Sequence, residues 1–152
     1  MTVRDNLNLR RFDRDADGAH RFWLRGDEMA EFARRAIAAY RIKTPSDEAP
    51  IRVLSGGNVQ RAILAREIAG EVEVLIVANP CFGLDFASVA EIRAQIMEQR
   101  NRGAAVLLVS EDLDEILELA DRVAVMSGGT INYVAPVGET DRATIGKHMA
   151  GH

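Results

Sequence analysis

The sequence predicts an α/β fold in which a helical first part leads into a mainly parallel sheet that ends in an antiparallel hairpin. Two short apolar runs, 72–77 and 104–109, are rich in Val, Ile and Leu, as buried parallel strands are. Each run is followed by a segment with helical spacing of its apolar residues. A third observation predicts the hairpin, because residues 122–126 and 130–135 flank the turn sequence Ser127-Gly128-Gly129. Alternation of strands and helices indicates the α/β class.

Helical spacing of apolar residues predicts the remaining elements. The predicted helices cover 27–41, 58–69, 86–102, 111–120 and 140–149. In the first of them the apolar stripe consists of Met29, Phe32, Ala33, Ala36, Ile37 and Tyr40. Residues 1–25 show no sustained period and predict irregular structure, and the prolines and polar residues of 43–50 predict a loop. We therefore divide the chain into a helical subdomain at 1–70 and an α/β part at 71–152.

The composition indicates a soluble globular protein. The chain has 152 residues, of which 47% are hydrophobic and 28% are charged, so it can bury a core and is not wholly disordered. No run approaches the roughly 20 apolar residues that cross a bilayer, and the first residues lack the apolar segment of a secretion signal. The net charge of −4 disfavours a nucleic-acid partner.

The cysteine and histidine content argues against an internal disulfide and against a metal site built from histidines. Cys81 is the single cysteine, which excludes an internal disulfide and fits a reducing compartment. The three histidines, His20, His148 and His152, are widely spread and show no metal-ligand spacing. We therefore expect no metal site made by these residues.

The most informative segment is Leu54-Ser55-Gly56-Gly57-Asn58-Val59-Gln60-Arg61. Two glycines precede a predicted helix for which Ser55 is the expected N-cap. Backbone N–H groups at a helix start bind anions, and glycines let a phosphate approach the backbone closely. The segment therefore predicts a phosphate site, with a plain capping turn as the alternative. The same tripeptide at 127–129 joins two strands, so Ser-Gly-Gly alone is weak support.

The segment at 54–61 resembles the signature motif of ATP-binding cassette (ABC) ATPases, and further segments match that family in order and spacing. The strand at 72–77 with Ala78-Asn79-Pro80 resembles the Walker B strand and its end. Gly83-Leu84-Asp85 resembles the D-loop, and Ser110-Glu111-Asp112 resembles the switch-histidine loop. The resemblance, which is firm from about Pro50 to Tyr133, implies a partial P-loop NTPase fold of the ABC cassette type.

Departures from the family pattern concern the catalytic positions. The chain has no Gly-x-x-x-x-Gly-Lys-Ser/Thr, so the P-loop portion is missing. Ala78 takes the Walker B aspartate position, Asn79 that of the catalytic glutamate and Glu111 that of the switch histidine, so no catalytic position is intact. Ala78 cannot help to hold Mg²⁺, and an amide is not a general base. The pattern resembles the C-terminal part of the degenerate second cassette of bacterial sugar and nucleoside importers.

The resemblance implies a role in an assembly. In this family two cassettes pack head to tail, and each ATP lies between the P-loop of one and the signature of the other. The residues expected to contact ATP phosphate held by a partner cassette are Ser55, Gly56, Gly57, Asn58 and Gln60. The residues expected at the interface between cassettes are Gly83, Leu84 and Asp85. ATP and Mg²⁺ are expected only in the full assembly, and the chain alone should hydrolyse no ATP.

The same resemblance implies further partners and a location. A second cassette and membrane-spanning permease subunits are the expected partners, with residues about 20–50 as the region facing the permease. The expected location is cytoplasmic, on the inner face of the cell membrane. Because strands that normally flank 72–77 are missing, a sheet edge and apolar surface should be exposed or covered by self-association.

Alternatives remain open at this point. The chain could instead be a stand-alone truncated cassette that acts as an interaction or regulatory module without ATPase activity. Asp85 could be an ordinary N-cap of the helix at 86–102, a role compatible with an interface position. Gln60 and Arg61 either support the signature helix or lie on its solvated face.

Overall fold

A computed structural model of the protein describes residues 1–11, 26–70 and 72–151. His20, His152 and residues 12–25 of the start predicted to be irregular lie outside these residues. The helices are α1 (Val3–Leu7), α2 (Gly26–Ala39), α3 (Gly56–Ile68), α4 (Phe86–Asn101), α5 (Leu113–Leu119) and α6 (Arg142–Met149). The strands are β1 (Val74–Ala78), β2 (Ala105–Val109), β3 (Arg122–Ser127) and β4 (Thr130–Pro136). Short 3-10 helices occur at Ile51–Val53 and Val137–Glu139. The elements predicted from residue 26 onward are thus present at closely similar bounds.

Helix α1 corrects the prediction that the start of the chain is irregular. Thr2 and Asp5 form a capping box, in which the Thr2 hydroxyl accepts from the Asp5 N–H and the Asp5 carboxylate accepts from the Thr2 N–H. Val3 and Leu7, which are 0% and 1% exposed, bury one side of this single turn. A five-residue helix is too short to show a sustained apolar period, and for this reason the sequence pattern missed it.

The described chain divides into two compact units. The first contains Met1–Leu75 and Cys81–Ala104, and the second contains Ile76–Pro80 and Ala105–His152. The boundary near residue 70 that the sequence suggests stays a prediction. Among the described residues, no helix is both long and apolar enough to cross a membrane.

The core of the first unit lies among α1, α2 and α3. Its fully buried members are mostly small side chains, which let the helices approach closely. They are Val3, Leu7, Ala33, Ala36, Ile42, Ala62 and Ala65, and Phe32, Ile37, Tyr40, Ile51 and Leu54 pack against them. Of the stripe predicted for the helix at 27–41, which is α2, all members except Met29 contribute to this core. Helix α4 belongs to the same unit and buries Ile92 and Ile96, which are four residues apart and therefore lie on one side of the helix.

The second unit contains β2, the part of β1 from Ile76 onward and the antiparallel β3–β4 hairpin, and β1 pairs with β2 in parallel. Gly128 and Gly129 both have positive φ, at 58° and 78°, as a two-residue type I′ turn requires. The prediction that Ser127-Gly128-Gly129 is a turn is confirmed. Val123, Val125 and Ile145 form the buried centre of this unit, where α6 packs on the hairpin.

One face of the β1–β2 pair is apolar and exposed. Ile76 on β1 is 67% exposed, and Leu107 and Val109 on β2 are 55% and 52% exposed. Side chains at alternate positions of a strand point to the same face, so Leu107 and Val109 share one. The exposed apolar surface predicted from the sequence is present at this pair.

Candidate functional site

The predicted phosphate site lies at the first turn of α3, a helix of 13 residues. Ser55 has the extended backbone of an N-cap, with φ −65° and ψ 158°, but its side chain makes no capping hydrogen bond. Its Oγ instead accepts a hydrogen bond of 2.8 Å from Asn58 Nδ2. The expected N-cap role is therefore confirmed for the backbone and wrong for the hydroxyl, which instead accepts from an amide one turn later.

The two glycines of this turn have different surroundings. Gly56 is exposed, and a Cβ built on it would meet no atom within 4 Å. Gly57 is buried, and a Cβ there would lie 2.7 Å from the Oγ and 3.3 Å from the Cβ of Ser88. Gly56 thus leaves room for a ligand at the helix N-terminus, where the backbone N–H groups and the helix dipole favour an anion. Gly57 is needed for packing of α3 on α4.

Asn58 and Arg61 lie beneath the exposed turn and are 8% and 6% exposed. Asn58 Oδ1 accepts from the Lys43 backbone N–H at 2.7 Å and from Arg61 Nη1 at 3.3 Å. Arg61 Nη2 lies 3.3 Å from Ser88 Oγ and 2.8 Å from Glu91 Oε2. A buried guanidinium needs such partners because desolvation of an unpaired charge is costly. Of the two alternatives for Arg61, its burial supports the one in which it stabilises the helix of the signature segment and does not lie on a solvated face.

The segment that resembles a D-loop belongs to the same unit. Gly83 has φ +71°, a left-handed conformation that glycine adopts without strain. Asp85 is the N-cap of α4, and its carboxylate accepts from the Ser88 N–H and the Ser88 hydroxyl, both at 2.9 Å. These bonds, with the backbone one the larger influence, hold the pKa of the Asp85 carboxyl below its usual value. The N-cap role is therefore present, and the interface role of Gly83, Leu84 and Asp85 stays a prediction.

The degenerate catalytic positions lie in the second unit, at the ends of β1 and β2. Ala78 is the last residue of β1, and Asn79 follows it with φ +45°, a conformation that asparagine tolerates better than most residues. The Asn79 N–H donates to the Val109 carbonyl at 2.7 Å, and its Oδ1 accepts from the Glu111 N–H at 3.3 Å. The structure thus brings Asn79 and Glu111 together.

The sequence predicts the exposed residues Ser55 and Gly56 of this turn, but not two groups that hold Asn58 and Arg61 in position. Gln60 is half-buried on α3, while Ser88 and the Lys43 backbone were not singled out. The spacing Asp85-x-x-Ser88 is that of an N-cap and its N3 residue, so Ser88 had a local signal. Lys43 has none, because its contact with Asn58 depends on the path of a loop 15 residues away. Within the described part of the chain, no group of three or more His, Cys, Asp and Glu is placed to hold a metal ion.

The chain matches curated ATP-binding proteins of import systems. It is 43% identical over 150 residues to the arabinose import ATP-binding protein AraG of Ralstonia nicotianae, covering 97% of this chain and 28% of that protein. It is 41% identical over 128 residues to the guanosine import ATP-binding protein NupO of Bacillus subtilis, covering 84% of this chain and 25% of that protein. The chain thus spans little more than a quarter of the relatives it matches.

The fold matches solved structures at lower identity. A dimeric bacterial ABC transporter cassette superimposes with a TM-score of 0.72 at 19% identity, over 90% of this chain and 57% of the other. An ATP-binding cassette of another ABC transporter gives a TM-score of 0.73, also at 19% identity, over 97% of this chain and 62% of the other. No protein-family profile matches the chain.

Proposed function

This chain is a homologue of part of the ATP-binding subunits of sugar and nucleoside ABC importers, and on that premise we propose that it completes an ATP site held mainly by a partner cassette. Its contribution is the first turn of α3, which offers Ser55, Gly56 and Gly57 to the γ-phosphate. Binding of ATP across two cassettes then couples hydrolysis to transport.

One observation above the others supports this proposal. Ser55 and Gly56 are exposed at the N-terminus of α3, and the direction in which a Gly56 side chain would point is open for 4 Å. A hydroxyl, the first backbone N–H groups of the helix, which have no partner within the helix itself, and the positive end of the helix dipole are there available to an anion. The negative charge of a phosphate fits these groups, and no carboxylate lies within 4 Å of the position that a Gly56 Cβ would take.

Residues of the second unit support the part of the proposal in which a partner cassette provides most of the groups that bind ATP. The Ala78 side chain offers no oxygen to Mg²⁺, and Asn79 has its Oδ1 engaged by the Glu111 N–H. Glu111, which would repel a phosphate, is exposed beside it. ATP and Mg²⁺ are therefore bound chiefly by the P-loop cassette of the assembly, and this chain by itself hydrolyses no ATP.

The remaining partners follow from the same assignment. The chain works beside a second cassette and below membrane-spanning permease subunits, on the inner face of the cell membrane. The D-loop residues Gly83, Leu84 and Asp85 face the second cassette, with Asp85 fixed by its bonds to Ser88.

The test is ATP hydrolysis by a reconstituted two-cassette assembly that carries this chain. Ser55→Ala should lower the rate about tenfold or more, since a hydrogen bond to a charged group contributes about 1.5–3 kcal/mol. Gly56→Asp should abolish it, because a carboxylate would occupy the open space and repel the phosphate. Matched controls are Ser127→Ala, in the other Ser-Gly-Gly, and Gly138→Asp, at an exposed glycine with equally open surroundings. Wild-type rates for both test variants would refute the proposal.

The isolated chain provides a second measurement. ATP turnover by the purified chain that disappears in Ser55→Ala would show a self-contained site and contradict a role across two cassettes. Wild-type transport by an assembly that lacks this chain's Ser55 hydroxyl would instead favour a module that acts by docking alone.

A further inference from the structure

The orientation of the Asn58 side chain is fixed by its surroundings. Its Oδ1 receives the Lys43 backbone N–H at 2.7 Å, and a backbone N–H can only donate. Arg61 Nη1, a second group that can only donate, lies 3.3 Å from the same oxygen. The oxygen of the amide must therefore face Lys43 and Arg61, so the NH₂ group faces Ser55. This removes the usual ambiguity between the O and N atoms of an amide.

This orientation determines how the Ser55 hydroxyl can be used. Asn58 Nδ2 lies 2.8 Å from Ser55 Oγ and cannot accept, so it donates to a lone pair of that oxygen. The hydroxyl proton must then point away from Asn58. Within the described residues it reaches no acceptor, and Ser55 is exposed. The hydroxyl is thus presented outward as a donor.

A buried connection holds Asn58 in place. Arg61, 6% exposed, contacts both Asn58 Oδ1 and the Oγ of Ser88, and Ser88 in turn donates to Asp85. The start of α3 and the start of α4 are therefore joined by hydrogen bonds through buried groups. Asn58 has little rotational freedom in such a setting, because loss of its partners would leave buried donors unpaired.

We propose that Asn58 is a positioning residue that orients the Ser55 hydroxyl as a donor toward phosphate. This inference rests on the proposed function. Asn58 does not contact the phosphate itself: it is 8% exposed, and both ends of its amide are engaged inside the protein. It acts through Ser55, which makes its contribution conditional on that hydroxyl.

The isosteric variant Asn58→Asp separates orientation from packing. One carboxylate oxygen still accepts from the Lys43 N–H and Arg61, so the buried connection remains. The other oxygen can only accept, so the Ser55 hydroxyl turns inward to donate to it and presents a lone pair to the phosphate. We expect ATP hydrolysis by the two-cassette assembly to fall about tenfold or more, to the level of Ser55→Ala. Thermal unfolding of the isolated variant should still be cooperative.

The double variant distinguishes reorientation from simple charge repulsion. If Asn58 acts through Ser55, Asn58→Asp should change the rate of the Ser55→Ala assembly less than about twofold, because no hydroxyl remains to be turned. A further large loss in that background would overturn the inference, as would wild-type activity of Asn58→Asp alone. If Asn58→Asp fails to fold, Asn58→Ala removes the same donor, and losses that multiply with those of Ser55→Ala would overturn the inference equally. Failure of the proposed function is recognised separately, since Ser55→Ala alone would then leave the rate unchanged.

Discussion

A Cβ atom on Gly57 would lie 2.7 Å from the Oγ of Ser88, closer than side chains pack, whereas a Cβ on Gly56 would meet nothing within 4 Å. The two adjacent glycines are therefore required for different reasons. A side chain at Gly57 would clash with Ser88 of α4, whereas a side chain at Gly56 would obstruct only a ligand or partner that binds there. The difference can be measured on the chain without any ligand.

Gly57→Ala should destabilise the chain and Gly56→Ala should not. At Gly57 an overpacking cost of up to about 3 kcal/mol outweighs the helix stabilisation of at most about 1 kcal/mol that alanine provides over glycine. Gly56→Ala gains the helix contribution without a clash. Urea unfolding followed by circular dichroism checks both variants, with Gly56→Ala as the matched control. Equal unfolding midpoints for the two variants would contradict the packing of Gly57 on Ser88.

Leu7→Ala should lower the free energy of unfolding by about 2–5 kcal/mol, the usual loss for truncation of a buried leucine. Leu7 is 1% exposed, in the core shared by α1, α2 and α3. Leu9, two positions later and 44% exposed, is the control, and Leu9→Ala should change stability by less than about 0.5 kcal/mol. Denaturant unfolding compares the two. Similar small effects would show that α1 does not pack as described.

The chain should lose stability in acid. Asp85 has a lowered pKa because of hydrogen bonds from the Ser88 backbone and hydroxyl, and Asp47 has one because of its hydrogen bond from Arg4. A carboxyl whose pKa is lower in the folded state stabilises that state above its unfolded pKa of about 3.9. This contribution is lost as the pH falls through the lower folded-state pKa.

Asp85→Asn should flatten that dependence. The variant cannot ionise at position 85, so its unfolding temperature should fall less than that of the wild type between pH 7 and pH 3. Glu73→Gln, on an exposed side chain, is the control and should leave the profile unchanged. A larger fall in the unfolding temperature of Asp85→Asn than of the wild type would contradict a stabilising role of the ionised Asp85.

Ile76→Lys and Leu107→Lys should reduce self-association of the isolated chain. Both side chains are more than half exposed on the β1–β2 pair, where an unpaired apolar face favours contact with another copy. Ile131→Lys is the control, since Ile131 is 59% exposed but lies on the hairpin. Sedimentation velocity at several concentrations should show less concentration dependence in the two test variants than in the wild type. If Ile131→Lys alone has this effect, association uses the hairpin.

Local patterns predicted most elements, because their causes are local. The spacing of Ile92 and Ile96 placed α4, and the turn residues Gly128 and Gly129 placed the hairpin. The short helix at Val3–Leu7 was missed because one turn has no period to detect, although its capping box was readable in Thr2 and Asp5.

For the candidate site, the residue types establish which groups are present: Ser55 and Gly56 at the start of a helix, and Ala78, Asn79 and Glu111 where catalytic side chains are expected. The folded chain sets how these groups are used, because it packs Gly57 against Ser88, turns Asn58 inward and gives Arg61 its buried partners. A residue's type fixes its hydrogen-bonding capacity, whereas the partner that uses this capacity comes from a distant part of the chain. Lys43 is 15 residues from Asn58 along the chain, and Ser88 is 27 residues from Arg61. Helical or strand periodicity in the sequence gives no information about contacts at such separations.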